Sequence, residues 1–284
     1  MGGLNPVFSR RLLRFSFIFL CFSAAIVVRL SNYKFVFANF TGHLNFIDTD
    51  CYYYLRRLVH FISNFPSLML FDVSADWPRG SWVDWPEGFL LLVGIPLKVL
   101  GVSDFRSLEL GVTVVMITLG MISAVSAILL AQKVIRSFWL CLVVFILASV
   151  NFLLVRFSCL GQVDHHIVEA ILPPLVLWMM YSAYGEKPVK GAQYLLAFIL
   201  AFSLLLSSSS LFIFGVFHFL YAVVFGNRSN LRAFLTANFV TLIVLLPYVI
   251  WSVHLRGDPA SITQPSFFHI VLIIFCTGFS AGSV

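Results

Sequence analysis

The sequence is poor in charged residues. Asp, Glu, Lys and Arg make up only 11% of its 284 residues, whereas hydrophobic residues make up 60%, and the mean hydropathy is +0.98. A soluble domain carries roughly 25% charged residues. This composition therefore excludes an ordinary soluble domain and indicates a chain whose solvent is the lipid bilayer. We expect membrane lipids around it and no nucleic acid among its partners.

Paired cysteines and a signal-peptide cleavage site are also lacking. The five cysteines show no paired spacing, which argues against a zinc site or a disulfide framework. They are Cys21, Cys51, Cys141, Cys159 and Cys276. A bridge between Cys51 and Cys159 is one interpretation, and two free thiols are the favoured one. No small-residue cleavage site follows the first apolar run, which ends at Val28, so we expect this run to remain as a membrane span.

Long apolar runs are what the sequence has in abundance. Eight of them have the length of a transmembrane helix. They cover residues 12–30, 107–131, 138–155, 166–184, 191–207, 209–226, 232–253 and 267–284. A ninth piece, 88–100, is broken by Gly94 and Pro96 and is too short to cross, so we expect a half-buried or interfacial helix there. The sequence predicts an all-α polytopic membrane protein with about eight transmembrane helices in a single transmembrane domain.

The charges are divided unequally between the two sides of the membrane. With the N-terminus in the cytoplasm, four short cytoplasmic segments hold nine of the 18 Lys and Arg residues but one acid, Glu186. These segments are 1–14, 132–137, 185–190 and 226–232. This distribution obeys the positive-inside rule. The external side then receives eleven of the twelve acids, and its loops are a long one at 31–87, a second at 157–165 and a later one at 255–266. Acids of the first two loops can therefore meet at one membrane face.

The first external loop contains an Asp-x-Asp motif, Asp48 and Asp50, followed by a segment rich in tyrosine and arginine up to Arg57. Carboxylates at this spacing suit Mg²⁺ or Mn²⁺ held near a phosphate leaving group, because both ions prefer hard oxygen ligands. The alternative is that Asp48 or Asp50 caps a helix that begins near Cys51. Spacing alone favours capping.

The second external loop carries a denser cluster, consisting of Asp164, His165, His166 and Glu169. If a helix begins at Asp164, both histidines share a face with Glu169. A charge drawn toward the hydrocarbon costs roughly 2.5–3.5 kcal/mol, so ionisable groups at this depth are functional candidates. The alternative makes Asp164 a helix cap and the histidines interfacial anchors.

Between the two motifs runs a stretch with three tryptophans, Trp77, Trp82 and Trp85, interspersed with Pro and Gly. Tryptophan is enriched at the membrane–water interface, so anchoring is its first interpretation. Stacking on a sugar is the second.

Together these stretches resemble the catalytic subunit of oligosaccharyltransferases in its single-subunit bacterial and archaeal form, over roughly residues 10–185. The segment Asp-Cys-Tyr-Tyr-Tyr-Leu-Arg-Arg from Asp50 is similar to the Asp and the Tyr/Arg-rich helix of the family's first loop. Residues 77–88 look like the Pro/Gly/Trp stretch that follows. Arg156 with Gly-Gln-Val-Asp-His-His-Ile-Val-Glu at 161–169 is similar to the second acidic motif. The resemblance implies a fold like that of GT-C glycosyltransferases.

The resemblance also implies an activity and its residues. The reaction is the metal-dependent transfer of an oligosaccharide from a polyprenyl-(pyro)phosphate lipid to the Asn of an Asn-x-Ser/Thr acceptor polypeptide. Asp50, Asp164 and His166 would bind Mn²⁺ or Mg²⁺, and Asp50, Asp164 and Arg156 would be catalytic. Arg156 lies one residue further from Asp164 than in some family members. Additional site candidates are Asp48, His165 and Glu169, and residues contacting substrate or the interface are Tyr52, Arg56, Trp82 and Trp85.

Two features of the family are not found in these 284 residues: an external loop with a further catalytic Glu, and a soluble domain with a Trp-Trp-Asp motif. We therefore expect the donor-and-metal half of the site, in an inner or plasma membrane with its loops on the external or periplasmic face. The alternatives are another multi-span lipid-sugar-dependent transferase with a non-peptide acceptor, a non-enzymatic transporter with an acid/His relay, and a non-catalytic remnant.

Overall fold

A computed structural model of the chain describes residues 6–38, 42–83, 85, 87–207, 210–227, 230–257 and 266–282. The predicted later loop, 255–266, falls mostly outside these residues.

The described chain is mostly helical. Its helices are α1 (Pro6–Arg29), α2 (Tyr33–Val36), α3 (Thr49–Ser63), α4 (Gly88–Val99), α5 (Phe105–Val134), α6 (Phe138–Val150), α7 (Phe152–Arg156), α8 (His166–Tyr184), α9 (Ala192–Leu206), α10 (Ser210–Leu220) with a π-helical turn (Tyr221–Phe225), α11 (Leu231–Arg256) and α12 (Phe267–Gly282). Two short antiparallel strands, β1 (Phe71–Asp72) and β2 (Ser81–Trp82), pair within the first loop. A helix therefore occupies each of the eight predicted apolar stretches.

Three of these helices, α5, α8 and α11, are long and apolar enough to cross a bilayer. Five further apolar helices found among the described residues are shorter, between 10 and 17 residues. A membrane-embedded protein is thus confirmed.

The third predicted stretch, 138–155, is divided in the structure. Helix α6 ends at Val150, and the side-chain oxygen of Asn151 accepts hydrogen bonds from the N–H groups of Leu153 and Leu154, at 3.1 and 3.3 Å, to start α7. An Asn side chain that bonds nearby backbone groups competes with the continuous helix. The residues after Asn151 are apolar, so hydropathy alone did not predict this break.

Helix α3 is amphipathic and lies against the bundle. Its residues Tyr54, Leu58 and Phe61 recur every three or four positions and are almost completely buried, the pattern of a helix with one face in the core. A Cβ atom at Gly94 of α4 would lie 2.5 Å from the ring of Phe61, so glycine allows the close approach of the two helices.

A buried arginine connects the end of α1 to three other segments. The Arg29 guanidinium donates to the hydroxyl of Ser158 (2.9 Å) and to the carbonyls of Ala25 (3.0 Å), Ser149 (3.0 Å) and Gly120 (3.2 Å). Burying a charge is costly unless it is hydrogen-bonded, and these four acceptors engage all three guanidinium nitrogens. The second acidic loop is therefore fixed beside the end of α1.

Candidate functional site

The two acidic loops meet, as their shared face predicts. Ile47 donates its N–H to the carbonyl of Gly161 at 3.0 Å. Gly161 has a φ of +78°, and a Cβ there would lie 2.9 Å from the carbonyl oxygen of Asn45, so glycine permits this contact. The N–H of Val163 donates to the sulfur of Cys51 at 3.2 Å. Residues more than a hundred positions apart in the sequence are thus in direct contact.

All five cysteines are free thiols, in agreement with the favoured interpretation. Cys51 is buried, and burial raises the pKa of its thiol to about 12. This sulfur is a structural hydrogen-bond acceptor in the contact between the loops.

Asp48 has the capping role that the spacing favours. Its Oδ1 accepts from the N–H of Cys51 at 3.0 Å at the start of α3, and its Oδ2 accepts from the side chain of Gln162 at 3.2 Å. Partial burial acts to raise the pKa of Asp48, but the hydrogen bonds outweigh it and hold this pKa below its usual value. One carboxylate oxygen of Asp48 therefore caps α3, and the other holds the contact between the two loops.

Asp50 is exposed in the first turn of α3. Its charge acts on Tyr54, one turn further along α3, and the hydroxyl of Tyr54 reaches the second loop. The pKa of Tyr54 is raised first by burial and then by the charges of Asp164, Asp50 and Glu169, with Arg57 acting in the opposite sense.

Helix α8 begins at His166, where the predicted apolar stretch 166–184 begins and two residues after Asp164. The reason is local: Oδ1 of Asp164 accepts from the N–H of His166 at 3.1 Å, which turns the backbone ahead of the helix. Asp164 is 7% exposed and therefore presents its carboxylate from a nearly buried position.

Both histidines approach Glu169 on one helical face, as predicted. Nδ1 of His166 lies 2.6 Å from Oε2 of Glu169, and Nε2 of His165 lies 3.7 Å from Oε1. The hydroxyl of Ser207, at the end of α9, donates to Oε1. Nδ1 of His165 lies 2.9 Å from the hydroxyl of Tyr54. Each imidazole is thus oriented through one of its nitrogens.

Asp164, His165 and His166 fit a divalent metal. One ligand atom from each lies within 4.8 Å of the others. Nε2 of His166, the nitrogen not bonded to Glu169, is 4.0 Å from Oδ1 of Asp164. Metal-ligating histidines usually hold a carboxylate with their second nitrogen, and Glu169 occupies that position. A mixed oxygen and nitrogen donor set suits Mn²⁺ better than Mg²⁺.

The remaining predicted residues lie around this cluster. Arg156 is exposed at the end of α7, and its carbonyl accepts from the thiol of Cys159 at 3.4 Å. The hydroxyl of Tyr52 accepts from the N–H of Phe46 at 3.2 Å, which holds the loop ahead of α3. Arg56 forms an ion pair with Asp72 of β1. Within the described chain, none of these three side chains is hydrogen-bonded or ion-paired to the acid–histidine cluster of Asp164, His165, His166 and Glu169.

Trp82 and Trp85, by contrast, line a cleft together with Asp50. The cleft has a volume of about 480 Å³. The tryptophan-rich stretch therefore stands beside one of the predicted metal ligands.

Sequence reasoning missed a buried ion pair. Glu87, which is completely buried, accepts hydrogen bonds from Arg256 and Tyr248 of α11, and Arg256 also donates to the carbonyl of Val83 at 2.5 Å. A glutamate directly ahead of the apolar helix α4 was the available signal, since a buried acid needs a partner. This pair joins the tryptophan-rich stretch to α11.

Comparison with known proteins gives a consistent result. A family model described as oligosaccharyl transferase STT3, N-terminal, matches residues 17–281. A curated relative from Archaeoglobus fulgidus, dolichyl-phosphooligosaccharide-protein glycotransferase 2, is 28% identical over 195 residues, which are 67% of this chain and 32% of the relative.

Two solved structures from the same organism share the fold. One is the archaeal oligosaccharyltransferase AglB in complex with an inhibitory peptide and a dolichol-phosphate, with a TM-score of 0.80, 18% identity and 96% of this chain covered. The other is the A. fulgidus oligosaccharyltransferase tethered to an acceptor peptide containing the NVT sequon, with a TM-score of 0.78, 19% identity and 95% of this chain covered. The chain spans about a third of the length of each, 33% in both cases.

Proposed function

The chain belongs to the STT3 family of oligosaccharyl transferases, and from this membership we propose that it carries the donor-binding and metal-binding half of an N-glycosylation site. The reaction is transfer of an oligosaccharide from a polyprenyl-(pyro)phosphate lipid to the amide nitrogen of Asn in an acceptor polypeptide. A relative named for a dolichyl-phosphooligosaccharide donor, a neighbour with a bound dolichol-phosphate and another with an NVT peptide support this donor and acceptor.

The observation that carries the proposal is the arrangement of Asp164, His166 and Glu169. Glu169 fixes the His166 ring through Nδ1, so that Nε2 and the Asp164 carboxylate are left as an oxygen–nitrogen pair 4.0 Å apart. Asp50 would complete the ligand set from the first loop. When bound there, Mn²⁺ or Mg²⁺ supplies positive charge that stabilises the leaving phosphate.

The other residues of the chain hold these ligands in place. Tyr54 orients His165 within the cluster through the 2.9 Å contact with Nδ1. Asp48 keeps the start of α3, and with it Asp50, against the second loop. Arg156 is exposed ahead of the acidic motif and would attract the negatively charged donor to the site.

A lipid-borne donor also accounts for the position of the site at a membrane boundary. The polyprenyl tail stays in the hydrocarbon while the sugar and phosphate reach the polar side. We propose eight transmembrane helices (α1, α5, α6 and α8–α12), a cytoplasmic N-terminus and a site on the external or periplasmic face. The reason is that four short segments on one side carry nine Lys and Arg residues and only one acid.

The experiment separates metal binding from transfer. We expect the purified protein in lipid nanodiscs to bind Mn²⁺, Asp164→Asn to abolish that binding, and Glu186→Gln, a matched removal of one distant acid, to leave it unchanged. In an assay with lipid-linked oligosaccharide and an Asn-x-Thr peptide, transfer should stop with EDTA and return with Mn²⁺. Undiminished Mn²⁺ binding by Asp164→Asn, or equal transfer by Asp50→Ala, would contradict the proposal.

A further inference from the structure

A cleft opens on the side of Asp50 that faces the tryptophan-rich stretch. It lies between the start of α3 and strand β2, and its volume of about 480 Å³ falls within the ordinary range for ligand pockets. Its lining combines aromatic rings with a few polar groups. The main contributors are Thr49, Asp50, Tyr53, Ser81, Trp82 and Trp85.

The aromatic walls of the cleft are fixed in orientation. Trp85 stacks on the ring of Tyr54, with centroids 5.0 Å apart and an interplanar angle of 19°, and meets the edge of Tyr53 at 5.0 Å. Trp82 packs edge-on against Phe71 at 5.5 Å and is still 44% exposed. A ring that is held by its neighbours and partly exposed can accept a ligand with little loss of side-chain entropy.

The charges around the cleft decide which ligand it suits. None of the described residues that line it is Lys, Arg or His, so it offers no cation to a phosphate. Two arginines lie against the ring of Tyr53: Arg56 forms an ion pair with Asp72 and lines a separate cavity, and Arg57 is completely buried. A hydrocarbon tail is equally unsuited, because Asp50, Thr49 and Ser81 would be left without hydrogen-bond partners.

A pyranose ring meets both requirements. Its C–H faces are apolar and slightly positive, and they complement the negative face of an indole ring. Its hydroxyls donate to a carboxylate and exchange hydrogen bonds with Thr and Ser hydroxyls. A neutral, hydroxyl-rich ring is therefore the class of ligand that this combination of groups selects.

We propose that this cleft is a sugar subsite, in which the lipid-proximal pyranose of the donor stacks on Trp82 and hydrogen-bonds to Asp50. The assignment rests on the proposed function, because only a lipid-linked sugar would bring a phosphate to the acid–histidine cluster and a pyranose to the adjoining cleft. Asp50 belongs to both places, so it would join recognition of the sugar to binding of the phosphate.

The test measures the contribution of the sugar to binding. The purified protein in nanodiscs with Mn²⁺ is titrated with farnesyl diphosphate and with farnesyl-diphosphate-linked N-acetylglucosamine and glucose, and dissociation constants are compared. At least one sugar-bearing probe should bind about fivefold more tightly than the unsugared probe, in line with the worth of one aromatic stacking contact. Trp82→Ala should remove this difference, and Trp82→Tyr, which keeps an aromatic face, should restore most of it.

Trp77→Ala is the matched control, because Trp77 lies in the same stretch, is 79% exposed and does not line the cleft. It should keep the full difference between probes. Equal binding of all probes by the wild type, or an equal loss in Trp77→Ala, would overturn the subsite. The subsite would also be overturned if an Asn-x-Thr peptide, and not the sugar, bound in the cleft beside Trp82. If Mn²⁺ and farnesyl diphosphate bind but the sugar adds nothing, the subsite alone fails; if neither binds, the proposed function fails.

Discussion

Replacing Glu169 with glutamine tests whether this residue orients the metal-binding histidine. The wild-type carboxylate lies 2.6 Å from Nδ1 of His166, and its second oxygen accepts from Ser207, so the carboxylate is held from two helices. Glutamine has nearly the same size but no charge, and one of its two ends is an NH₂ group that cannot accept a proton from Nδ1. Glu169→Gln therefore weakens the charge-assisted hydrogen bond that fixes the ring.

The expected loss of Mn²⁺ affinity is about tenfold, or about 1.4 kcal/mol, at the lower end of what an outer carboxylate partner contributes. Mn²⁺ binding by isothermal titration calorimetry and by electron paramagnetic resonance, with the protein in nanodiscs, gives the affinity directly. Ser207→Ala is the graded control: it removes one hydrogen bond to Glu169 but keeps the bond to His166, so its loss should be smaller. Wild-type affinity in Glu169→Gln, combined with a large loss in Asp164→Asn, would refute the orienting role.

Three further predictions concern the framework of the site. Arg29→Met should lower the free energy of unfolding by about 3 kcal/mol, because buried acceptors on other segments lose a charged donor; thermal unfolding in nanodiscs measures this, with exposed Arg156→Met as a control of little effect. Gly161→Ala should destabilise the loop contact by about 2 kcal/mol through its positive φ and the nearby carbonyl of Asn45, visible as faster hydrogen exchange in residues 45–54; unchanged exchange would contradict this. The depressed pKa of Asp48 means that its stabilisation is present above the unfolded pKa of about 3.9 and is lost as pH falls through the lower folded value. Asp48→Asn, which can still cap, should lack this acid-dependent loss, and identical pH profiles of the melting temperature would exclude it.

The positions of the helices could be predicted from the sequence because the length of an apolar run is a local property of the sequence. Each of the eight apolar runs contains a helix. The bounds of the runs at 166–184 and 191–207 agree with those of α8 and α9 to within a residue or two. The break at Asn151 was not predicted, because it depends on one side chain bonding to the backbone.

Sequence reasoning predicted that the two acidic loops meet, but not which contacts each acidic residue makes. Charge distribution brought the two loops to one face, and helical spacing paired the histidines with Glu169. Spacing alone could not separate Asp48, whose oxygens bind Cys51 and Gln162, from the exposed Asp50, because the partner in the second loop is 114 residues away. The pairing of Glu87 with Arg256, 169 residues apart, was inaccessible for the same reason.

The hydrogen bonds of Arg29 have a consequence for the order in which the protein assembles. A chain is synthesised from its N-terminus, so Arg29 at the end of α1 is made long before its acceptors Gly120, Ser149 and Ser158. Until those segments arrive, the arginine can remain solvated at the membrane surface, and only its local bond to Ala25 is available. The contact between the two loops can therefore form only after Ser158 and the acidic motif that follows it have been synthesised.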